Sequence, residues 1–85
     1  MFLHRWTIFE DIVICSYAMA RETDPKTIKK LSARMGISEG RIAYRMSNFT
    51  KLTQGSNPNW HYSAQERKVF SWLNKNPFIK VKTLI

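Results

Sequence analysis

Polar side chains with distinctive hydrogen-bonding chemistry lie at helical spacing between positions 36 and 52: Arg41, Tyr44, Arg45 and Asn48. A guanidinium and a carboxamide are both planar, and each can form two hydrogen bonds with one planar partner. Base edges in the DNA major groove are such partners, guanine for arginine and adenine for asparagine. We therefore predict that these side chains meet base edges or the phosphates that flank them.

The same part of the chain is strongly basic. Between Lys26 and Lys51 there are seven lysines and arginines against Glu39 alone, and the whole chain of 85 residues has a net charge of +8. A charge of this size on a small chain indicates a polyanionic partner. Cations near a duplex supply affinity through its phosphates without reading the sequence. The residues that we predict to lie near phosphates are Lys26, Lys29, Lys30, Arg34, Ser47 and Lys51.

Simpler interpretations remain open for some of these residues. The basic surface can also be a solvated face, or it can contact an anionic membrane surface. Lys26, Lys30 and Arg34 recur every four residues, and because like charges at that spacing repel, the row indicates either an external anion or a solvated helix face. Tyr44 can instead pack against a neighbouring helix, and Arg45 can instead pair with a carboxylate from the first helix.

Residues for catalysis or metal binding are not grouped in the sequence. Glu10 and Asp11 fall in the first turn of a predicted helix, where the helix dipole favours carboxylates, and no base or nucleophile accompanies them. His4 and His61 are too few for a metal cluster, and Cys15, as the only cysteine, excludes an intrachain disulfide and a thiolate zinc site. The glycines are too sparse for a phosphate-binding loop. We therefore expect no enzyme activity, no cofactor and no small-molecule substrate.

Helix caps predict three consecutive helices in the first part of the chain. The caps are a T-x-x-E capping box, an Asp-Pro pair and a serine after a glycine turn, at Thr7, Asp24 and Ser38. The predicted helices run from about Ile8 to about Ala20, from Pro25 to about Met35, and from Glu39 to about Thr50.

The third predicted helix has two contrasting faces. Ile42, Met46 and Phe49 recur at steps of four and three and form an apolar inner face. The predicted outer face carries Gly40, Arg41, Tyr44, Ser47, Asn48 and Lys51. A polar helix face of this kind, after a preceding helix and a glycine-containing turn, is typical of a helix-turn-helix recognition element.

The first helix is predicted to lie at the centre of the core, because it is apolar around more than half of its circumference. One stripe consists of Ile8, Ile12, Cys15 and Met19, and the stripe beside it of Phe9, Val13 and Tyr17. The second helix is predicted to turn Ile28, Leu31 and Met35 inward.

The rest of the chain predicts a further helix and a strand. Residues 53–62 have the composition of a loop, and an S-x-x-E capping box at Ser63 predicts a fourth helix from about Ala64 to about Lys75. Phe78 to Ile85 then alternates apolar residues with lysines, as strands do. A strand needs a partner, which would be Met1 to Trp6 or the same segment of a second chain in a homodimer.

The length and these elements predict one mainly α-helical domain over residues 1–85. It comprises a trihelical helix-turn-helix core at 6–52, a loop at 53–62, a fourth helix at 63–76 and a C-terminal extended segment at 77–85. No apolar run is long enough to span a membrane, and the N-terminal residues lack the pattern of a signal peptide. An intracellular, cytoplasmic protein without a membrane partner is therefore expected.

Motifs in the first 52 residues resemble a known family. They are W-T-x-x-E-D at 6–11, L-S-x-x-M-G-x-S at 31–38 and R-I-A-x-R-M-x-N-F-x-x-L at 41–52. This pattern resembles the Myb-like trihelical helix-turn-helix domains of bacteria and phages, some of which are stand-alone regulators and others joined to nuclease domains. The resemblance implies that the third helix enters a DNA major groove. Thr53, Gln54 and Gly55 depart from the Asp-Pro that follows in related domains, and nuclease activity is not carried over.

These observations favour sequence-specific binding of double-stranded DNA by a small transcription regulator of phage or bacterial type. One alternative is that the positive face binds a protein, for instance as an inhibitor of a host defence complex. Another is RNA binding, with single-stranded bases stacking on Trp60 and Tyr62 beside the basic face.

Overall fold

The computed structural model describes residues 4–55 and 62–76, which contain four helices and no strand. The helices are α1 (Ile8–Met19), α2 (Pro25–Met35), α3 (Glu39–Thr53) and α4 (Ala64–Lys75). The predicted mainly α-helical class is confirmed, although α3 continues past the predicted end at Thr50. The predicted strand at Phe78 to Ile85, with the homodimer contact assigned to it, lies outside the described residues, as does most of the predicted loop.

Both predicted capping boxes form. The Thr7 hydroxyl accepts a hydrogen bond from the Glu10 N–H at 3.1 Å, and the Glu10 carboxylate accepts one from the Thr7 N–H at 2.8 Å. Ser63 and Glu66 repeat this arrangement at the start of α4. Burial alone would raise the pKa of Glu10, but the Thr7 N–H and the nearby His4 ring outweigh it and hold that pKa below its usual value.

A short turn joins α2 to α3. Gly36 ends α2 with φ at 69°, in the left-handed region that glycine enters without steric cost. The next residue, Ile37, is buried, and its carbonyl accepts a hydrogen bond from the Ser32 hydroxyl at 2.6 Å. Ser38 then caps α3 by accepting a hydrogen bond from the Arg41 N–H at 3.3 Å. Contacts within the turn therefore hold the end of α2 against the start of α3.

The end of α1 uses a non-glycine residue in the left-handed region. Arg21 has φ at 60°, and its N–H donates to the Ala18 carbonyl at 3.1 Å while the Glu22 N–H donates to the Tyr17 carbonyl at 3.0 Å. These two bonds form the Schellman motif, in which glycine is the usual residue at the left-handed position. An arginine there costs about 1 kcal/mol.

The core is built around α1, as predicted, because α1 packs against both α3 and α4 whereas α2 packs on α3. The buried apolar residues of α1 are Val13, Ile14, Cys15, Tyr17 and Ala18. The inner residues predicted for α3, Ile42, Met46 and Phe49, are also buried. In α2 Leu31 is fully buried, and Ile28 and Met35 pack against the core while remaining partly accessible.

The first turn of α1 differs from the prediction. Ile8 is 62% exposed and Phe9 is 47% exposed, although both were placed on apolar inner stripes. Ile14, which belonged to neither stripe, is fully buried. The buried residues of α1 begin only at Asp11, and α4 leaves an open groove beside Ile8 in the preceding turn and does not cover it.

Cys15 behaves as a small buried hydrophobic residue. Burial, together with the nearby Asp11 carboxylate, raises the pKa of the Cys15 thiol to about 12. The thiol therefore stays protonated and unreactive at neutral pH.

We expect Phe49→Ala to lower the free energy of unfolding by about 3 to 5 kcal/mol, because it opens a cavity where a fully buried ring was packed. Phe9→Ala is the matched control, since it removes the same ring from an exposed position of α1 and should cost less than about 1 kcal/mol. Urea denaturation followed by circular dichroism measures both values. Equal losses for the two variants would contradict this description of the core.

Candidate nucleic-acid interface

The exposed side of α3 carries a row of residues at intervals of three and four. Arg41, Tyr44 and Ser47 are exposed along this row, and Lys51 continues it as a partly buried residue. The Tyr44 side chain is 62% exposed, so it does not pack into a contact with a neighbouring helix. The structure thus places two of the predicted base-reading residues, Arg41 and Tyr44, on one accessible face.

The prediction that Asn48 lies on the outer face is wrong. Asn48 is only 3% exposed, and its Nδ2 donates a hydrogen bond to the Glu66 carboxylate at 2.9 Å. The cause is α4, which packs against α3 and supplies Glu66 on that side. Because its side chain is buried, Asn48 cannot reach a base edge in this arrangement.

Arg45 is also turned inward, three residues before Asn48 on the same stripe of α3. Its Nε and one terminal nitrogen donate to the two carboxylate oxygens of Asp11, each at 2.8 Å. The other terminal nitrogen lies 3.3 Å from Glu66. The alternative interpretation of Arg45, pairing with a carboxylate of the first helix, is therefore the observed one, and the assignment of Arg45 to base contacts is wrong.

Neighbouring groups make further contacts with the charged side chains of Asp11, Arg45 and Glu66. Gln65 Nε2 donates to Asp11 at 2.6 Å and to the Trp6 carbonyl at 2.8 Å. The Ser63 N–H donates to the Glu66 carboxylate at 2.8 Å, so one side chain serves both the capping box and the ion pair. The Arg45 guanidinium lies 5.3 Å from the centre of the Trp6 ring, at cation–π distance. We call Asp11, Arg45, Asn48, Gln65 and Glu66 the buried polar network.

The buried polar network keeps its arginine charged. Burial alone would lower the pKa of Arg45, but the hydrogen bonds and charge of Asp11, with the charge of Glu66, outweigh it and raise that pKa above its usual value. Asp11 and Glu66 are both fully buried, and a buried carboxylate is tolerated only when it is paired and hydrogen-bonded. The buried polar network therefore joins α1, α3 and α4, and moving these helices apart would leave buried charges unpaired.

Sequence reasoning missed Gln65 and Glu66 as members of this network. One signal was available: Asp11 lies four residues before Cys15 and seven before Ala18, so it shares an apolar stripe of α1. An acid at such a position requires a buried cation. Which arginine meets it depends on how the helices pack.

The predicted phosphate-binding residues of α2 lie at the surface. Lys26, Lys29, Lys30 and Arg34 are all exposed. The Lys30 Nζ lies 6.0 Å from the centre of the Tyr17 ring of α1, and no carboxylate of residues 4–55 or 62–76 forms an ion pair with these cations. Their charges are therefore not neutralised within the part of the chain that the structure describes.

The RNA-binding alternative depends on two aromatic residues, Tyr62 and Trp60, of which the structure describes only Tyr62. Tyr62 is partly buried against the core, and the Arg67 guanidinium lies over its ring at 5.1 Å. One ring face is therefore already occupied. Trp60 lies outside the described residues.

Among residues 4–55 and 62–76, no three His, Cys, Asp or Glu side chains are grouped so that they could bind a metal ion. The helices described there are also too short or too polar to cross a membrane. Comparison with protein-family models, with curated proteins and with solved structures gives no match to this chain.

We expect Arg45→Lys to lower the free energy of unfolding by about 1.5 to 3 kcal/mol, because an ammonium group cannot replace both hydrogen bonds to Asp11. Arg34→Lys makes the same change at an exposed position of α2 and should alter stability by less than about 0.5 kcal/mol. Both variants keep the net charge, so thermal and urea unfolding compare them directly. An Arg45→Lys variant as stable as Arg34→Lys would show that the buried polar network contributes little to stability.

Proposed function

We propose that the protein binds double-stranded DNA as a helix-turn-helix protein, with α3 as the recognition helix, and acts as a small transcription regulator. The observation that carries the proposal is the exposed row of Arg41, Tyr44 and Ser47 on α3, beside a helix whose charges are all positive. The trihelical core and the relationship to Myb-like domains are part of the same proposal.

The position of the row along α3 supports this role. In helix-turn-helix proteins the N-terminal residues of the recognition helix contact base edges in the major groove. Arg41 is in the first turn of α3 and Tyr44 follows one turn later, whereas Ser47 and Lys51 lie further along. We therefore assign base contacts to Arg41 and Tyr44, and phosphate contacts to Ser47 and Lys51.

The electrostatics of α2 and α3 support a phosphate-rich partner. The charge of Arg45 is already neutralised, because it pairs with both Asp11 and Glu66, and Glu39 is the only acidic residue of α2 and α3. Cations on a duplex release its counterions, so they contribute affinity for any sequence. The cations proposed to meet phosphates are Lys26, Lys29, Lys30, Arg34 and Lys51.

The glycine at position 40 supports a DNA contact at the start of α3 independently of the charges. A Cβ at Gly40 would meet nothing within 4 Å, so the packing of the chain does not require a glycine there. Glycine costs about 1 kcal/mol relative to alanine in a helix interior, and a smaller cost applies in the first turn, where Gly40 lies. The first turn of a helix has N–H groups and a dipole that favour phosphate, and a missing side chain allows a DNA backbone to come close. We therefore assign Gly40 to the DNA contact.

Arg45 and Asn48 take a different role in this proposal from the one that their residue types indicate. They are positioning residues, because they attach α3 to Asp11 and Glu66 and thereby set which side of α3 faces outward. Their loss would reduce DNA binding through the fold, not through a missing base contact.

A preferred site is first selected from a random duplex library, and affinity is then measured by fluorescence anisotropy on that site and on random DNA. Arg41→Ala and Tyr44→Ala should each cost about 1 to 3 kcal/mol on the selected site and less on random DNA, because they remove discrimination between bases. Lys29→Ala should weaken binding to both duplexes and reduce the slope of log affinity against log salt by about 0.9.

Lys68→Ala is the matched control for Lys29→Ala, since it removes an exposed lysine from α4 and should leave duplex binding unchanged. If no site is selected, or if Arg41→Ala and Tyr44→Ala bind both duplexes like the parent, the recognition-helix assignment fails. Tighter binding to single-stranded RNA than to any duplex would instead favour the RNA alternative.

The Gly40→Ala variant tests separately whether the DNA backbone lies close to Gly40. We expect it to raise the free energy of unfolding by up to about 0.5 kcal/mol, less than in a helix interior, because alanine is the better helix former and the added methyl group meets no other atom. Duplex binding should nevertheless weaken, in contrast to Ser71→Ala at an exposed position of α4. A stabilised Gly40→Ala variant that binds DNA as well as the parent would remove Gly40 from the interface.

A further inference from the structure

Large apolar side chains are exposed at four positions of the described chain: Ile8, Phe9, Tyr44 and Trp72. Tyr44 belongs to the exposed row of α3. Ile8 and Trp72 instead line one groove between α1 and α4, to which α2 and α3 contribute no residue. This groove is therefore a surface that the proposed DNA contact does not use.

The groove is apolar and of useful size. Its volume is about 410 Å³, within the range of sites that enclose small ligands or protruding side chains. Val69 is buried and Ile12 is partly buried, whereas Ile8 and Trp72 are 62% and 44% exposed. An exposed tryptophan beside aliphatic residues is the kind of anchor that dominates the energy of protein interfaces.

The charges beside the groove are positive. Lys68 lines it, and Lys75 lies on the adjoining surface of α4, so the two lysines precede and follow Trp72 by about one turn. The acidic residues of α1 and α4 are already engaged: Asp11 and Glu66 are buried in the polar network, and Glu10 bonds to Thr7 and His4. Attraction at this surface is therefore toward negatively charged partners.

We propose that this groove binds an amphipathic helix of an acidic protein, with apolar side chains in the groove and carboxylates against Lys68 and Lys75. A helix with apolar residues at i, i+3, i+4 and i+7 fits a groove between two helices. A second copy of this chain fits poorly, because its own Lys68 and Lys75 would meet the same cations. A nucleic acid fits less well: a base could stack on Trp72 beside Lys68, but the aliphatic side chains that make up most of the lining offer no partner to phosphates or base edges and would stay uncovered.

The inference stands apart from the proposed function, since the groove and the row on α3 share no residue. If both hold, DNA and the acidic helix bind at the same time. Loss of either site should leave the other intact.

The experiment selects peptides from a displayed library of helical sequences, with the full chain as bait and the Ile8→Ser/Trp72→Ala double variant for counter-selection. Enriched peptides should carry apolar residues at helical spacing and net negative charge. One enriched peptide is then synthesised, and its affinity is measured by isothermal titration calorimetry.

Single variants distinguish binding in the groove from nonspecific hydrophobic binding of the peptide. Trp72→Ala should weaken the peptide about tenfold or more, and Lys68→Glu should weaken it about threefold to tenfold. Phe9→Ser is the matched control for Ile8→Ser, because Phe9 is the exposed neighbour of Ile8 that does not line the groove, and it should leave affinity unchanged. Thermal melts check that each variant is folded. If Trp72→Ala is unfolded, the peptide affinity of Ile8→Ser provides the test instead.

Several results would overturn the proposal. They are the absence of enriched peptides, enrichment of basic or uncharged ones, and equal binding to the parent, Ile8→Ser and Trp72→Ala. A parent that sediments as a dimer and becomes a monomer on Ile8→Ser would assign the groove to a second copy. Displacement of the peptide by single-stranded DNA would assign it to nucleic acid.

Discussion

The pairing of Arg45 with Asp11 is the contact on which the arrangement of three helices depends. Asp11 comes from α1, Arg45 from α3 and Glu66 from α4, and both carboxylates are fully buried. Separating any partner would leave a buried charge without compensation, which costs several kcal/mol in proteins. Apolar contacts restrict how helices fit together through the shapes of their side chains, and a bidentate pair adds a directional requirement that only one relative placement of its two groups meets. We infer that the pair selects the packing of α1, α3 and α4 among similar apolar alternatives.

This constraint also determines what α3 offers to a partner. Arg45 and Asn48 hold one side of the helix toward Asp11 and Glu66, so Arg41, Tyr44 and Ser47 face outward. The turn at Gly36 to Ser38 holds the start of α3 beside the basic helix α2 through short-range hydrogen bonds. A recognition surface held in place before binding loses little freedom on association, which favours both affinity and discrimination. The polar residues of α3 thus divide into those that position the helix and those proposed to read DNA.

The two proposed surfaces lie on different parts of the molecule and bind through different interactions. The surface of α2 and α3 is rich in cations and hydrogen-bond donors, which suits a regular polyanion. The groove between α1 and α4 is mainly aliphatic and aromatic, with lysines beside it, which suits an apolar segment that carries negative charge. Because α1 contacts both α3 and α4, it lies behind each surface and connects them through the core. A small regulator with this design would join a DNA site to an acidic protein.

The sequence by itself determined the starts of the helices, the class of the fold, the inner apolar stripes of α2 and α3 and the positive charge of α2. These properties are local: a cap at Thr7, Ser38 or Ser63 acts on the backbone of the next turn, and helical spacing places Ile42, Met46 and Phe49 on one face in any context. Only the tertiary structure decided that Asn48 and Arg45 point inward and that Ile8 stays exposed. Those outcomes depend on where α4 lies against α1 and α3. The residues that contact Asn48 and Arg45 are 18 to 34 positions away in the chain, so no local signal in the sequence indicates these contacts. The same α4 creates the groove at Trp72, because a groove exists only once two helices have packed.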